Sequence, residues 1–333
     1  MAEMRLAPDE AEALLTRILM RCKTSETNAR AVARALVAAE LAGQAGHGFR
    51  RMPSYTGQAL AGKVDGFATP VAEQIRPGAL AIDAMHGFAY PAVDLALDWL
   101  PGAARAQGIA MAGIRRSNHC GVAGVIVERL AEAGMVSLLF ANAPASIAPW
   151  GGKVPLYGTD PIAFAAPLPG AAPVVVDIAL SKVARGKILA ATQTGAPIPE
   201  GWAFDPDGNP TTDAHKGLAG TMVPMGDAKG TALALMVELL CAGLTGGRFG
   251  YEATSFFDDK GGPPETGQLI IAVDPGAFGP GALERFAAMA AMIEGMDGAR
   301  LPGRRRQQTA SDLAEAGIPI DSAFLAEIEA LGA

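Results

Sequence analysis

The chain alternates apolar runs of strand length with amphipathic segments of helical periodicity, and this alternation constrains the fold most. Residues 109–114 form an apolar run, residues 122–133 follow with helical spacing, and residues 136–141 form a second apolar run. Gly134 stands where the helix between them can end in the left-handed conformation. Strands that alternate with helices predict an α/β protein.

Polar residues stand next to these runs, at the points where strands should begin or end. Residues 117–119, Ser-Asn-His, come directly after the first run, and residues 158–161, Gly-Thr-Asp-Pro, precede another. Strand ends that carry such side chains in α/β proteins form the rim of a site. For Asn142, Asp160 and the glycines taken singly, turn formation or capping is an equal alternative.

Composition narrows the classes of partner and location. The 333 residues are half hydrophobic and 18% charged, which predicts a globular chain of two or three domains. The net charge of -7 disfavours nucleic acid or a membrane surface as a partner, because both need a basic face. No run is apolar enough to span a bilayer, and the N-terminus lacks an apolar signal core. The three cysteines lack metal-ligand spacing, so we expect a cytoplasmic protein without a metal site.

A short basic segment, residues 46–55, carries three side chains that suit an acid substrate. His47, Arg51 and Tyr55 are four residues apart and share one face if the segment is helical. Pro53 is tolerated only if a helix begins just before it. Arginine can clamp a carboxylate through two hydrogen bonds, and histidine titrates near neutral pH. The alternative is a solvated basic helix end.

A glycine-rich turn before a helix gives a second candidate site. Residues 225–230, Met-Gly-Asp-Ala-Lys-Gly, place Lys229 in the first turn of a helical stretch, where a pyrophosphate can bind. The spacing is not that of a Walker loop, and no GxGxxG follows a strand anywhere in the chain. An ordinary Rossmann dinucleotide site is therefore not predicted.

The other predicted elements follow the same periodicities. We expect two helices within residues 8–42, with Ser25 capping the second, and a helix that carries Lys182, Arg185 and Lys187 and ends at Gly195. Further strands are predicted at 80–83, 161–167, 174–177 and 268–274, further helices at 91–106, 283–293 and 324–331, and a turn-rich excursion at 201–213.

Several of these motifs, taken in order, resemble the type-2 malate/L-lactate dehydrogenase family of NAD(P)-dependent oxidoreductases. That family also holds sulfolactate, ureidoglycolate and cyclic-imine enzymes. The resemblance covers nearly the whole chain. It rests on six segments that match the family patterns SHGxxRxxxY, SNHxG, APxGG, GTNP, SxVARGK and RLPGxRR, or differ from them at one position, at residues 46–55, 117–121, 148–152, 158–161, 181–187 and 300–306, together with the pair Lys229-Gly230.

The resemblance implies a homodimer with a non-Rossmann nicotinamide-binding fold, in which a helical N-terminal region joins a mixed-sheet cofactor domain. The expected segments are a helical region at 1–75 that packs with 275–333, a strand-helix-strand segment at 76–116, and a cofactor-binding domain at 117–274. The cofactor would be NAD or NADP. By the same resemblance the substrate pocket would hold His47, Arg51, Tyr55, His119 and Thr159. Cofactor contacts would come from Cys120, Gly121, Ala143, Asp177, Ile178, Ala179, Lys229, Gly230, Arg304, Arg305 and Arg306.

Two departures from the family pattern, and one difference from its imine-reducing members, affect the acid/base assignment. Gly46 replaces the usual serine, Asp160 replaces an asparagine, and Lys187 stands where imine-reducing members carry an acid. Without the serine and the acid, a Ser-His-Asp relay on His47 is not available. The sequence therefore favours His119 as the acid/base, with His47 second.

The function expected on this basis is hydride transfer between NAD(P) and C2 of a small 2-hydroxy or 2-oxo acid. Arg51 would hold the carboxylate, and a histidine would exchange the proton. The stretch 46–66 is most similar to members that act on sulfolactate, with malate and lactate next. Reduction of a cyclic imine such as Δ1-piperideine-2-carboxylate is the first alternative. A nucleotide-binding module without activity is the second.

Overall fold

The computed structural model describes residues 3–332, and its alternating strands and helices confirm the predicted α/β class. The strands are β1 (Glu3–Leu6), β2 (Val71–Arg76), β3 (Ala79–Asp83), β4 (Ile109–Ser117), β5 (Val136–Ala141), β6 (Ile162–Leu168), β7 (Ala171–Ile178), β8 (Ala203–Phe204), β9 (Pro210–Thr211), β10 (Thr221–Met222), β11 (Thr266–Val273) and β12 (Ile318–Asp321). The helices are α1 (Pro8–Arg21), α2 (Glu26–Leu41), α3 (Met52–Ala61), α4 (Ala89–Gln107), α5 (Ala123–Glu132), α6 (Arg185–Thr194), α7 (Ala214–Ala219), α8 (Ala228–Glu238), α9 (Ala282–Glu294), α10 (Arg304–Ala316) and α11 (Ser322–Glu329).

A mixed sheet of seven strands forms the centre of the fold, in the order β2-β3-β4-β11-β5-β6-β7. Of the adjacent strand pairs in this sheet, only β3 and β4 are parallel. The strand β11 lies between β4 and β5 and is buried on both faces: Leu269 and Ile270, adjacent in sequence, belong to different cores. Successive side chains of a strand point to opposite faces, so a central strand reads as a continuous apolar run.

Helices cover both faces of this sheet. On one face α4 and α5 bury Leu100, Val127 and Leu130 against the strands. On the other face α8, continued by a π-helical turn at Leu239–Gly243, packs against β11. The loop after α5 ends in Gly134 with φ of 87°, the left-handed conformation expected there. The sheet is thus packed on both faces, and the loops of the site follow its strand ends.

The N-terminal helices build a separate core with the end of the chain. Leu15, Leu36, Ile318 and Leu325 pack together, and β1 pairs with β12 beside them. Ser25 caps α2 as predicted, since its side chain accepts the backbone N–H of Asn28. The seven-stranded sheet runs through both of the segments 76–116 and 117–274, so the division between those two stays a prediction.

Some predicted elements differ from the structure. The helix expected to carry Lys182 begins only at Arg185, because the backbone of Lys182 is still paired in extended form with Val223. Within the excursion at 201–213, β8 and β9 form part of a small three-stranded sheet with β10. Helix α10 was not predicted, since its thirteen residues carry few apolar side chains. No helix in residues 3–332 is long and apolar enough to cross a membrane.

Candidate active site

Two single turns deliver the basic segment to the site, in place of one continuous helix. Three-residue 3₁₀ turns at Ala45–His47 and Phe49–Arg51 precede α3, so the condition for one shared helical face is not met in the first half of the segment. Helix α3 begins at Met52, where Pro53 required it to begin. Gly48 separates the turns: a Cβ there would lie 2.2 Å from the carboxylate of Glu40. That carboxylate accepts the N–H of Phe49 at 2.7 Å and fixes the break between the turns.

The second histidine comes from the loop that follows β4. The side chain of Asn118 accepts the backbone N–H of His119 at 2.6 Å and donates to Gln58 at 3.0 Å. Gly121 follows with φ of 77°, and a Cβ there would lie 2.9 Å from the hydroxyl of Tyr90. The loop is thus held from α3 on one side and packs closely against α4 on the other.

The two predicted histidines meet in a continuous chain of hydrogen bonds. Nδ1 of His47 lies 3.0 Å from Nε2 of His119, and their rings stack with centroids 5.0 Å apart. Nδ1 of His119 lies 2.6 Å from the hydroxyl of Tyr55, which lies 2.9 Å from that of Tyr90. Both ring nitrogens of His119 are therefore engaged. Within residues 3–332, Nε2 of His47 has no hydrogen-bond partner.

Burial and one nearby cation set the electrostatics of this chain. Burial, followed by the charge of Arg51, lowers the pKa of His47 to about 4. The same two causes, with His47 added, lower the pKa of His119 well below its ordinary value. Burial raises the pKa of Tyr55 to about 12. All members are therefore neutral at neutral pH, and a single set of tautomers can satisfy every bond.

Arg51 is a buried cation without an acidic partner in the described residues. It is 7% exposed, its Nε donates to the carbonyl of Gly46 at 2.8 Å, and its Nη1 is buried without a hydrogen-bond partner. The guanidinium also lies over the ring of Phe257, 4.5 Å from its centroid. A buried guanidinium with an unused N–H edge is poised for an anion. A Cβ at Gly46 would meet nothing within 4 Å, so the position that carries serine in the family pattern borders open space.

Thr159 is half-buried and Asp160 is fully buried, in a loop next to the histidine chain. The carbonyl of Thr159 accepts the N–H of Leu180 at 2.7 Å, and no hydrogen bond joins Thr159 to either histidine in the described chain. Asp160 accepts the N–H of Ala143 at 3.1 Å and lies against Glu238. Burial, followed by the neighbouring charge of Glu238, raises the pKa of Asp160 well above its ordinary value. Asp160 therefore keeps its proton to a higher pH than an ordinary aspartate does, and while protonated it can donate a hydrogen bond like the asparagine of the family pattern.

The predicted cofactor residues near the His119 loop cluster at the N-terminus of α5. The carboxylate of Asp177 accepts the N–H of Gly124 at 2.8 Å, and Ile178 ends β7 directly after it, with Ala179 following. Burial, then the charge of Asp177, raises the pKa of Cys120 to about 12, so its thiol is not an anion. The structure thus brings Cys120 and Asp177 into one neighbourhood.

The predicted basic residues are divided between two places. Lys229 is exposed in the first turn of α8, and a Cβ on Gly230 would lie 2.0 Å from the carbonyl of Met225, so only glycine lets the helix begin so close to that turn. No contact joins Lys229 to the arginines in residues 3–332. Arg304 is engaged by Glu294 at 2.8 Å and by the carbonyl of Ala172.

The arginines at the start of α10 line a cavity that suits an anionic group. Its volume is about 320 Å³, and it is lined by residues 300–303, Arg305 and Arg306. Arg306 pairs with Glu128 at 2.7 Å, but its Nη1 is buried without a partner, and Arg305 is exposed without an ion pair in the described part of the chain. Unpaired guanidinium N–H groups fit the phosphates of a dinucleotide. A larger cavity, of about 600 Å³ between α2, α5 and α10, holds neither histidine.

Three aromatic residues of the site were not predicted from the sequence. Tyr90 ends the hydrogen-bond chain, Phe256 lies against the ring of His119 with centroids 5.4 Å apart, and Phe257 lies under Arg51. Phe256 and Phe257 stand in a stretch without periodicity, so no pattern marked them. Tyr90 stands at the start of a predicted helix, where packing is the ordinary explanation for an aromatic residue.

The comparison with known families identifies the class of protein. The profile described as Malate/L-lactate dehydrogenase matches residues 6–329, and the chain belongs to that family. Over 298 residues it is 50% identical to the (2R)-3-sulfolactate dehydrogenase (NADP(+)) of Chromohalobacter salexigens, covering 89% of each chain.

Two further relatives carry a different activity in their names. The Delta(1)-pyrroline-2-carboxylate/Delta(1)-piperideine-2-carboxylate reductase of Pseudomonas aeruginosa is 41% identical over 331 residues, which cover 98% of this chain and 99% of that protein. The crystal structure of delta1-piperideine-2-carboxylate reductase from Pseudomonas syringae superposes with a TM-score of 0.93 at 36% identity, covering 98% of this chain and 99% of that one. The relatives of this chain are thus named for two different reactions, oxidation of a hydroxy acid and reduction of a cyclic imine.

Proposed function

We propose that this protein transfers a hydride reversibly between NAD(P) and C2 of a small, anionic 2-hydroxy or 2-oxo acid, with sulfolactate as the model substrate. The observation that carries the proposal is the unpaired, buried guanidinium of Arg51 beside the two histidines. Burying a cation without a counterion is costly unless a ligand supplies one. The 50% identity to a sulfolactate dehydrogenase supports a three-carbon acid as the ligand.

Arg51 is proposed to bind the substrate carboxylate through its free Nη edge. Its Nε is fixed by Gly46 and its face by Phe257, so the orientation of the fork is set before substrate arrives. Pre-orientation reduces the entropy lost on binding. Thr159 is proposed to contact the substrate from the neighbouring loop.

The two histidines are proposed to act as one proton-transfer unit, with His47 facing the substrate. If the hydroxyl of Tyr55 donates to His119, and His119 donates to His47, the remaining N–H is Nε2 of His47, which has no partner in residues 3–332. His119 is engaged on both sides, which supports a role in orienting His47. This order is the reverse of the one that the sequence alone favoured.

Substrate binding itself would prepare His47 as a proton donor. The charge of Arg51 is the second cause that lowers the pKa of His47. A bound carboxylate offsets that charge and moves the pKa back towards its ordinary value. His47 can then hold the proton that passes to the carbonyl oxygen, and the reverse reaction returns it.

The cofactor is proposed to be NAD or NADP, held by residues 120–121, Ala143, residues 177–179, the Lys229-Gly230 turn and residues 304–306. When bound, the reduced nicotinamide supplies the hydride. The unpaired N–H groups of Arg305 and Arg306 support a place for phosphate oxygens, and the NADP(+) named for the sulfolactate relative supports the phosphorylated form. The residues of this chain would supply positive charge to the cofactor and hold it in place.

A homodimer and a cytoplasmic location are proposed as well. Leu235, Leu239 and Leu244, on and just after α8, are between 45% and 63% exposed, and such apolar exposure supports contact with a second copy. The three free, buried cysteines support a reducing compartment.

Reduction of a cyclic imine is the second candidate, favoured by the 41% identity to a pyrroline- and piperideine-carboxylate reductase. Such an imine also carries a carboxylate that Arg51 can hold. The experiment compares initial rates for 3-sulfopyruvate, oxaloacetate, pyruvate and Δ1-piperideine-2-carboxylate with NADH and with NADPH. We expect the highest kcat/KM for an oxo acid; a higher value for the imine would establish the second candidate. Tight cofactor binding without turnover of any substrate would indicate an inactive nucleotide-binding module.

A further inference from the structure

A long segment without helix or strand supplies one wall of the site. Between the π-helical turn that ends at Gly243 and the start of β11 at Thr266, the chain forms only turns and bends. Within this stretch, residues 255–260 reach the site: Phe256 lies against His119, and Phe257 lies under Arg51. Segments of this length without regular structure need contacts from elsewhere to hold one conformation.

Lys63, which is buried, supplies most of the hydrogen bonds that residues 255–260 receive from α3 and the residues just after it. It follows α3 and is 2% exposed. Its ammonium donates to the carbonyls of Lys260 at 2.7 Å, Ser255 at 2.8 Å and Asp258 at 3.0 Å. The carboxylate of Asp258 lies 3.4 Å away and adds a partly exposed counterion. One side chain therefore gathers three carbonyls of a segment that has no ladder or helix to satisfy them.

Gln58, one turn earlier, fixes the same segment to the His119 loop. It is fully buried, and its amide donates to the carbonyl of Phe256 at 2.9 Å. Its side-chain oxygen accepts from Asn118 at 3.0 Å, and Asn118 in turn accepts from the backbone of His119. The C-terminal half of α3 thus links the wall segment to the loop that carries His119.

We infer that Lys63 is a positioning residue for the reaction, holding residues 255–260 so that Phe257 orients Arg51 and Phe256 orients the ring of His119. This inference rests on the proposed function, because it assigns a kinetic consequence to these contacts. Water does not take the place of the ammonium as donor, because the side chain of Lys63 is buried. Removing the ammonium leaves three part-buried carbonyls without their donor, and the segment loses the contacts that hold it in this conformation.

The kinetic consequence follows from which groups the two rings contact. Phe257 is 42% exposed, so its ring is held against Arg51 by the backbone of the segment more than by packing around it. Once the segment moves, the guanidinium loses the face that fixes its orientation. Weaker acid binding should follow, and a smaller loss of turnover should follow from the freed ring of His119.

The experiment compares Lys63→Met, Lys63→Arg and, as a matched control, Lys260→Met. Lys260 belongs to the same segment, but only its backbone contacts Lys63 and its side chain is exposed. For Lys63→Met we expect KM for the oxo acid to rise roughly tenfold or more, kcat to fall by a smaller factor, and KM for the nicotinamide to stay the same. Lys63→Arg should recover part of the loss, and Lys260→Met should behave like the wild type.

Hydrogen–deuterium exchange gives a readout that does not depend on turnover. Amides in residues 254–262 should exchange faster in Lys63→Met than in the wild type or Lys260→Met, while those of β11 keep their protection. A folded Lys63→Met protein with unchanged exchange there, or with an unchanged KM for the acid, overturns the inference. If the wild type turns over no acid, the proposed function fails, and the exchange result still decides whether Lys63 holds the segment.

A second variant covers the case in which Lys63→Met does not fold. Phe257→Leu removes the partly exposed ring and leaves every contact of Lys63 in place. We expect a several-fold rise in KM for the acid with little change in kcat, because only the orientation of Arg51 is affected. An unchanged KM in Phe257→Leu would mean that the segment does not act through Arg51, and the inference would be wrong.

Discussion

Asp160 and Glu238 form a buried acid pair whose cost should appear as a dependence of stability on pH, and Asp160→Asn should remove it. Glu238 accepts the N–H of Gly250 and the amide of Asn142, so it is the better stabilised carboxylate of the two. Asp160 accepts one N–H, from Ala143, and its other oxygen is buried without a donor in the described chain. The proton that the pair shares therefore resides mainly on Asp160.

The sign of the effect follows from the direction of the pKa change. Burial, then Glu238, raises the pKa of Asp160 in the folded state, so the folded protein binds this proton more tightly than the unfolded chain does. Stability is then fully present below the unfolded value of about 3.9 and is lost as the pH rises towards the folded pKa. Asparagine supplies an N–H in place of the proton at every pH. Asp160 has a φ of 40°, a conformation that asparagine also tolerates.

The expected gain is the penalty of one unsatisfied buried polar group, about 1–3 kcal/mol at a pH near 8, falling to nearly zero at acid pH. Thermal unfolding of the wild type and Asp160→Asn across that pH range measures it, with exposed Asp297→Asn as the matched control. A Tm difference of a few degrees that grows with pH is the predicted result. A difference that is constant with pH, or a destabilised Asp160→Asn, would refute the shared proton.

Four further predictions concern the site itself. Arg51→Lys keeps the charge but loses the fork, and should cost about 1.5–3 kcal/mol in kcat/KM for the acid with cofactor affinity unchanged; near-normal kcat/KM would remove Arg51 from the site. Lys229→Ala should weaken binding of the reduced nicotinamide in a salt-dependent way, and equal affinities in low-salt titrations would contradict that contact. His47→Ala should lower kcat by roughly a hundredfold or more, and by more than His119→Ala does, because His47 has the open ring nitrogen. The pKa of about 4 for His47 means that kcat/KM for reduction keeps rising as the pH falls below about 6.5, whereas levelling near 6.5 would indicate an unperturbed histidine.

The sequence was informative where chemistry or periodicity is written locally. The apolar runs of β4, β5 and β11 predicted the sheet, and the motifs around His47 and His119 predicted two residues that meet although they are 72 positions apart. Nothing local could predict that Phe256 and Phe257 complete the site, because their place depends on Lys63, almost two hundred residues earlier. The neutral state of the histidines comes first from burial, which only the fold shows, and second from the charge of Arg51.

The order of hydrogen bonds between the histidines and tyrosines also could not be predicted from the sequence. His119 and Tyr55 come from motifs, but only the fold shows that His119 uses both nitrogens and leaves His47 with the open one. The failure to predict helix α10 has a simpler cause. Its polar composition gives no apolar stripe, so periodicity cannot mark it, and contacts with α2 and β7 stabilise it instead.

Transfer of deuterium from the cofactor to C2 of the substrate is the direct test of the proposed hydride transfer. The protein is incubated with 3-sulfopyruvate and NADPH or NADH that carries deuterium at C4 in either configuration, and the product is analysed by mass spectrometry and NMR. We expect a 2-hydroxy acid that carries the deuterium at C2, from one of the two configurations only, and Arg51→Lys should slow its formation. A 2-hydroxy acid that carries no deuterium from either configuration, or labelled product from Δ1-piperideine-2-carboxylate but none from the oxo acid, would contradict the proposed hydride transfer.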